Sequence, residues 1–278
     1  MSIWLTAVCH SPAAVVCYGP SQWTVVSSFL GSAFMRALLA VVFGAAALSW
    51  PWGQLAFGQT RDLAAGLTLS PERYRRVVGR PPAAGSPAEA EELAVLHWNQ
   101  RSRYPETVVH TWRFLHRHLS SFDGAIGADL SRTAPTLAEG MPVFLKRVDA
   151  VKDALKDEIA RPRPYLSHPS LKPCLPTESS YSYPSGHATW YATAAWLLAD
   201  LLPERRERLM SVGLQGGYAR TTCLVHYPSD VLASQRLAEA ISRDVIASPQ
   251  WQAFKQQVRP ELDLLLVPPP AGLPTLSD

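Results

Sequence analysis

The chain has 278 residues, of which 47% are hydrophobic and 18% are charged, and its formal net charge is +3. This length and composition fit one globular domain with a sizeable core, and they exclude a chain that is disordered throughout. Because the positive charge is small and dispersed, we do not expect nucleic acid as a partner.

The first 58 residues differ from the rest because Arg36 is their only charged side chain. Met35 and Arg36 precede the apolar run 37–48, and small residues of the kind that a signal peptidase reads follow this run. We expect 1–58 to be an export segment, with a signal peptide that starts at Met35, and 59–278 to be the mature domain, periplasmic or secreted. A retained membrane anchor is the alternative.

Beyond residue 88 the sequence has the periodicity of helices and few strand signals, so we predict an all-α protein. The six predicted helices are Glu89–Gln100, Pro105–Ser120, Pro142–Glu158, Gly186–Leu202, Pro203–Ala219 and Pro228–Ile246. Prolines interrupt the other segments. We expect an irregular lead-in over 60–88, an extended connector over 161–183 and a nonperiodic tail over 260–278. None of these segments predicts a membrane span.

Three short clusters in the helical region carry candidate chemistry. They are Lys156 with Arg163 and Pro164, then Pro184-Ser185-Gly186-His187, then Arg220 with His226 and Asp230. The cations Lys156, Arg163 and Arg220 can hold the non-bridging oxygens of a phosphoryl group. Ser185 and Gly186 open a predicted helix, so the Ser185 hydroxyl and the backbone amides can meet a phosphate oxygen at the positive end of the helix dipole.

The same clusters contain a candidate nucleophile and a candidate proton donor. Asp230 follows His226 by four residues and can accept its Nδ1 proton, which leaves Nε2 to attack phosphorus. His187 lies on another segment and can protonate the leaving alcohol. Each cluster alone is weak evidence, because such pairs are common in helical proteins. Together they favour an in-line attack on phosphorus that needs no metal or other cofactor.

The three clusters resemble the motifs of the class A bacterial non-specific acid phosphatases and of the wider type 2 phosphatidic acid phosphatase and vanadium haloperoxidase superfamily. Ten fixed positions match the pattern Lys-x6-Arg-Pro, Pro-Ser-Gly-His and Arg-x5-His-x3-Asp. The resemblance implies a helical bundle with the site between helices and hydrolysis of phosphoric monoesters through a phosphohistidine, with phosphotransfer as a further activity. It implies the same roles as the residue chemistry: His226 as nucleophile, His187 as general acid, Asp230 as the carboxylate that orients His226, and the remaining motif residues as phosphate ligands. These ligands are Lys156, Arg163, Ser185, Gly186 and Arg220. Ala219 departs from the pattern, since the family usually has serine there.

Four cysteines are present, and Cys9 and Cys17 fall in the expected export segment. In an oxidising compartment, Cys174 and Cys223 are then candidates for one disulfide between the second and third motif segments. Two buried free thiols are the alternative, because spacing alone does not fix connectivity.

Two further activities compete with the acid phosphatase hypothesis. A vanadium-dependent haloperoxidase would use the equivalent of His226 to bind vanadate and would oxidise halides. A lipid phosphate phosphatase of the same superfamily would carry several membrane-spanning helices, which the sequence beyond residue 58 does not predict. We therefore expect small-molecule phosphomonoesters as substrates and no stable membrane span in the mature chain. A homo-oligomer is left open.

Overall fold

The computed structural model describes residues 62–269 and 271–276, and these residues form helices and no strand, which confirms the all-α prediction. The α-helices are α1 (Pro71–Val78), α2 (Pro87–Ser102), α3 (Pro105–Trp112), α4 (Asp123–Ile126), α5 (Leu130–Thr133), α6 (Pro135–Ile159), α7 (Pro164–Ser167), α8 (Gly186–Leu201), α9 (Arg206–Thr222), α10 (Pro228–Ile246) and α11 (Pro249–Leu266). The predicted export segment 1–58, including Met35 and the cysteines at positions 9 and 17, lies outside the described residues.

Proline begins seven of these helices, which explains how the proline-rich part of the chain that the structure describes can be largely helical. At the first helical position the missing N–H has no partner to lose, and the fixed φ of proline suits the helix. Serine side chains cap two of the same ends: Ser86 accepts from the amide of Glu89, and Ser248 accepts from the amide of Trp251. These caps satisfy amides that have no intrahelical partner.

All three predicted irregular segments are partly helical. The connector 161–183, predicted to be extended, contains the short helix α7 because Pro164 occupies its first position. The lead-in 60–88 contains α1, because Pro71 starts a helix instead of breaking one. The tail contains the end of α11, whose buried stripe Trp251, Phe254, Val258, Leu262 and Leu265 has helical spacing on both sides of Pro260. Pro260 is exposed, so the carbonyl that it leaves without a helical donor can bond water.

The predicted bounds of two other helices are also wrong. Helix α6 starts seven residues before Pro142, which lies exposed inside the helix. Helix α3 ends at Trp112, not at Ser120. The chain leaves α3 in a turn, and the carbonyl of Leu115 in the segment that follows accepts a hydrogen bond from His187 Nε2 at 2.9 Å. A tertiary contact therefore overrides the local periodicity.

Helix α8 forms the centre of the bundle, since twelve of its sixteen residues are buried. It packs antiparallel to α9, which follows a short 3₁₀ turn, and against α6 and α10. Glycines permit close packing with α9: a Cβ at Gly213 would lie 2.6 Å from Ala195 Cβ, and one at Gly216 would overlap the ring of Tyr191. The antiparallel pairing brings the start of α8 beside the end of α9. None of the described helices has the length and apolarity of a membrane span.

Candidate active site

The structure brings all eight predicted site residues together where the ends of four helices meet. Lys156 lies in the last turn of α6 and Arg220 in the last turn of α9, whereas His187 and Asp230 lie in the first turns of α8 and α10. The hydroxyl of Ser234 donates to the carbonyl of Ser185 at 3.0 Å and joins the last two of these helices. The cluster is polar and almost closed to solvent.

His226 is held through both ring nitrogens. Its Nδ1 lies 3.2 Å from Oδ2 of Asp230, and its Nε2 lies 2.9 Å from Nη1 of Arg163. Because the guanidinium can only donate, Nε2 must present its lone pair and Nδ1 must carry the proton. Burial, and then the charge of Arg163, lower the pKa of His226 well below its ordinary value, so the ring is neutral. This is the tautomer that the sequence analysis requires of a nucleophile.

Asp230 is fully buried, and both of its oxygens accept hydrogen bonds. Oδ2 accepts from the Ser182 hydroxyl and from the Tyr227 amide at 2.8 Å, and Oδ1 accepts from Nη1 of Arg161 at 2.8 Å. Burial raises the pKa of Asp230, and Arg161 and the hydrogen bonds oppose this shift. The carboxylate that orients His226 is thus itself held in one position.

Arg161 was not among the predicted site residues, yet it joins the site to α2. It donates through Nη2 to Glu92 at 2.7 Å, and its guanidinium lies 3.6 Å from the ring centroid of Tyr227. Glu92 also accepts from the amide of Ser229 at 2.7 Å, at the start of α10. Arg161 stands two residues before the motif arginine in the same proline-rich stretch, and its partner Glu92 could be recognised only in three dimensions.

Arg163 and Arg220 face each other across Glu178, a second residue that the sequence analysis missed. Arg163 donates to Oε2 of Glu178 at 2.7 Å, and Arg220 donates to Oε1. Although burial raises the pKa of Glu178, the charges of the two arginines lower it to about 2. Glu178 is the only acidic residue between Glu158 and Asp200. A single acidic residue among basic motif residues was the sequence signal that could have identified Glu178 as part of the site.

Lys156 completes the set of predicted cations. Its Nζ donates to the carbonyl of Tyr181 at 2.7 Å. Burial, followed by the charges of Arg163 and Lys152, lowers the pKa of Lys156 to about 7. Lys152 lies one turn earlier on α6, and its Nζ would be 3.6 Å from a Cβ at Gly186. A fourth cation therefore lies beside the first turn of α8.

The first turn of α8 differs in one detail from the predicted phosphate cradle. The hydroxyl of Ser185 caps the helix by accepting from the Ala188 amide, but the Ser185 amide donates to the Asp230 carbonyl at 3.3 Å and is engaged. The amides of Gly186 and His187 belong to the first helical turn and have no intrahelical carbonyl to bond. They are the backbone donors that an anion can use here.

His187 is largely buried, and its Nε2 lies 2.9 Å from the carbonyl of Leu115. A carbonyl can only accept, so Nε2 carries a proton and Nδ1 is the nitrogen left for proton exchange. Burial, and then the charge of Arg220, lower the pKa of His187 to about 3. The ring is neutral in the ligand-free site, and an anion bound nearby would raise its pKa.

The third-motif segment contains the departure from the family pattern and the predicted cysteine pair. Ala219 is buried in α9, and no hydroxyl is present there to bond the site. The sulfur atoms of Cys174 and Cys223 lie at bonding distance, and their Cα atoms are 4.8 Å apart. Among the described residues, no group of three or more His, Cys, Asp or Glu side chains is placed to hold a metal ion.

Comparison with known proteins identifies one family and several relatives. Residues 142–253 match the PAP2 superfamily. Non-specific acid phosphatases of Providencia stuartii and Salmonella typhimurium are 30% and 33% identical over 29% and 30% of this chain, which span 32% and 33% of their own length. A decaprenylphosphoryl-5-phosphoribose phosphatase of Mycolicibacterium smegmatis is 36% identical over 34% of this chain and 50% of its own.

Among solved structures, a transmembrane PAP2 type phosphatidylglycerolphosphate phosphatase from Bacillus subtilis overlays with a TM-score of 0.46 and 22% identity, covering 67% of this chain and 94% of its own. The chain spans about a third to a half of the length of the three phosphatases that it matches in sequence. All eight predicted site residues lie within the matched segment. Residues 142–253, which contain the whole candidate site, are thus similar to the PAP2 superfamily.

Proposed function

We propose that this protein is an acid phosphatase that hydrolyses phosphoric monoesters through a phosphohistidine on His226. The observation that carries the proposal is the state of the His226 ring: Asp230 holds Nδ1, and Nε2 presents its lone pair beside Arg163. A histidine fixed in this tautomer among several cations is suited to attack phosphorus. The names of the sequence relatives support the same reaction.

In the first step, Nη1 of Arg163 turns from Nε2 of His226 to an oxygen of the substrate, which frees the Nε2 lone pair. Nε2 then attacks phosphorus while the bond from phosphorus to the ester oxygen breaks. Lys156, Arg163 and Arg220 hold the non-bridging oxygens, where charge must be stabilised during transfer. His187 gives a proton to the leaving alcohol through Nδ1. Asp230 holds the positive charge that develops on the ring of His226 as the N–P bond forms.

In the second step, water attacks phosphorus and the N–P bond breaks. His187, now neutral, removes a proton from this water, and Nε2 of His226 regains its lone pair. An alcohol that replaces water would receive the phosphoryl group instead, which is the phosphotransfer activity. Both histidines end in their starting protonation states. The cycle transfers only protons and a phosphoryl group, so it needs no oxidant or reductant.

Protonation favours turnover at acidic pH. With a pKa of about 7, Lys156 is a cation below neutral pH and loses its charge above it. His187 is neutral in the ligand-free site, and the charge of a bound phosphate favours its protonated form. A substrate that arrives as its monoanion can bring this proton. We propose that the reaction takes place in the periplasm or outside the cell, as the export segment predicted over 1–58 implies.

The two histidines can be distinguished by trapping the phosphoenzyme. His226→Ala cannot form the N–P bond, so turnover should fall by several orders of magnitude on every substrate. His187→Asn should still accept phosphate from an aryl ester with a good leaving group, but the attacking water lacks its base. The intermediate should accumulate as label that is stable to alkali, labile to acid and located on His226.

The matched control is His97→Asn on α2, which should retain the wild-type rate and show no accumulation. Label on a serine or a carboxylate, or trapping by His226→Ala instead of His187→Asn, would contradict the assignment of roles. Oxidation of bromide with vanadate and peroxide, without ester hydrolysis, would favour the haloperoxidase alternative. Hydrolysis of phosphatidate but of no water-soluble ester would favour a lipid phosphatase.

A further inference from the structure

Glu178 places a carboxylate between the two arginines that the proposed reaction needs for phosphate. Each oxygen accepts from a different guanidinium: Oε2 from Arg163 at 2.7 Å and Oε1 from Arg220. The two arginine side chains are at most 1% exposed, whereas the Glu178 side chain is 34% exposed. The carboxylate therefore enters the cluster from the solvent side.

Arg220 retains donor capacity that Glu178 does not use. In the part of the chain that the structure describes, its Nε and Nη1 are buried and have no hydrogen-bond partner. A buried guanidinium with unpaired N–H groups is costly, and an anion with more acceptor oxygens than a carboxylate would lower that cost. Phosphate is such an anion. The arrangement suits an anion larger than the carboxylate that the protein itself supplies.

A phosphate dianion and the Glu178 carboxylate cannot share these donors without strong repulsion. We propose that Glu178 is an internal competitor for phosphate: it occupies the position of a substrate oxygen in the ligand-free site, and every bound phosphate must displace it. The inference rests on the proposed function, because it takes this cluster as the phosphate site. It makes Glu178 a determinant of affinity for substrate and product.

The displacement requires movement of the side chain only, because the backbone around Glu178 is fixed. The hydroxyl of Tyr165 accepts from the Glu178 amide at 2.9 Å and donates to the Glu178 carbonyl at 2.8 Å. Two residues later, the carbonyl of Ser180 accepts from Nε of Arg163 at 2.9 Å. Rotation of the glutamate about its own χ angles would move the carboxylate into solvent and leave these bonds intact.

Removal of the carboxylate charge should therefore tighten phosphate binding. Glu178→Gln keeps the shape of the side chain but offers the arginines a neutral oxygen, which is a weaker acceptor than a carboxylate. The dissociation constants of inorganic phosphate and orthovanadate should fall on the order of tenfold, and KM for an aryl phosphate should fall with them. Glu178→Asp, which is one methylene shorter and cannot reach both arginines as well, should give a smaller decrease.

The experiment measures phosphate and vanadate binding by calorimetry, together with kcat and KM, for wild type, Glu178→Gln, Glu178→Asp and the control Glu204→Gln. Glu204 is exposed on the turn between α8 and α9, so its variant should bind like wild type. Either of two results would overturn the inference. Weaker phosphate binding by Glu178→Gln would mean that the glutamate orients the arginines for phosphate, and unchanged binding would mean that its charge does not compete with phosphate.

The binding test of Glu178 and the test of ester hydrolysis can fail independently. Wild-type hydrolysis of the aryl phosphate, combined with weaker binding by Glu178→Gln, would overturn the competitor role and leave the phosphatase intact. Tighter binding by Glu178→Gln in a protein whose wild type hydrolyses no ester would support the competitor role and overturn the phosphatase.

Discussion

Removal of Arg161 tests whether the carboxylate behind His226 depends on its buried partner. The guanidinium lies between Asp230 at 2.8 Å and Glu92 at 2.7 Å, and its side chain is 7% exposed. Arg161→Met keeps most of the volume of the side chain but removes the positive charge that contacts both acids. Loss of one partner from a buried ion pair typically costs about 3 to 5 kcal/mol, because an uncompensated buried charge remains.

For a domain of this size the loss corresponds to a decrease in melting temperature of about 6 to 20 °C. The matched control is Arg73→Met, which breaks an ion pair with Asp244 in which the arginine is 68% exposed. An exposed pair contributes at most about 1 kcal/mol, so the control should melt within about 4 °C of wild type. Differential scanning calorimetry at neutral pH measures both variants.

The pH dependence of the loss tests whether an unpaired buried carboxylate is responsible. Arg161 lowers the pKa of Asp230 against the effect of burial, so the variant should have a still higher pKa at this carboxyl. A carboxyl whose pKa is higher in the folded than in the unfolded protein binds protons preferentially when folded. The deficit should therefore be complete at neutral pH and should shrink as the pH falls through that raised pKa. A deficit no larger than that of the control, or one that grows in acid, would show that Arg161 does not compensate a buried carboxylate charge.

Five further results are expected. EDTA should leave the proposed phosphatase activity intact, because in the proposed mechanism side-chain cations hold the phosphoryl oxygens. A loss of activity in EDTA that zinc or magnesium restores would contradict the histidine mechanism. Orthovanadate should inhibit, because it adopts the five-coordinate geometry of the transition state. Lys156→Arg should extend activity to higher pH, since kcat/KM of the wild type should fall above about pH 7 as the lysine loses its proton; an unchanged alkaline limb would exclude Lys156 as its cause. A reductant should lower the melting temperature by breaking the Cys174–Cys223 bond, which typically contributes about 2 to 4 kcal/mol, and two thiols titrating in the unreduced denatured protein would disprove the bond. Amino-terminal sequencing of the exported protein should begin near Gln59, and an intact amino terminus in the membrane fraction would indicate an anchor instead.

The residues of the candidate site could be predicted because they occur in short motifs whose members are close together in the sequence. His226 and Asp230 are four residues apart at a helix start, and this spacing alone allows Asp230 to reach the ring. The contacts of Arg161 and Glu178 could not be predicted in the same way. Arg161 meets Glu92 across 69 residues of sequence, and Glu178 meets Arg220 across 42. Such pairings depend on how the helices pack.

The helical class could be predicted from periodicity, whereas the helix bounds depended on solvent and on tertiary contacts. Pro142 and Pro260 stand inside helices because both are exposed, so water can bond the carbonyls that they release. A rule that ends helices at proline takes no account of exposure. For α3 the predicted helix was too long instead of too short. Its periodicity continues past Trp112, but the helix ends there and the chain turns towards His187.

The close contact between α8 and α9 makes the width of the site depend on residues that never touch a ligand. His187 lies at the start of one helix and Arg220 at the end of the other, and Gly213 lies about two turns away from Arg220. A methyl group at Gly213 would meet the Cβ of Ala195 at 2.6 Å, so the helices would have to separate. The proposed proton donor and one of the proposed phosphate-binding cations would separate with them. The spacing of the reacting groups is therefore encoded partly in the absence of side chains from a helix interface outside the site.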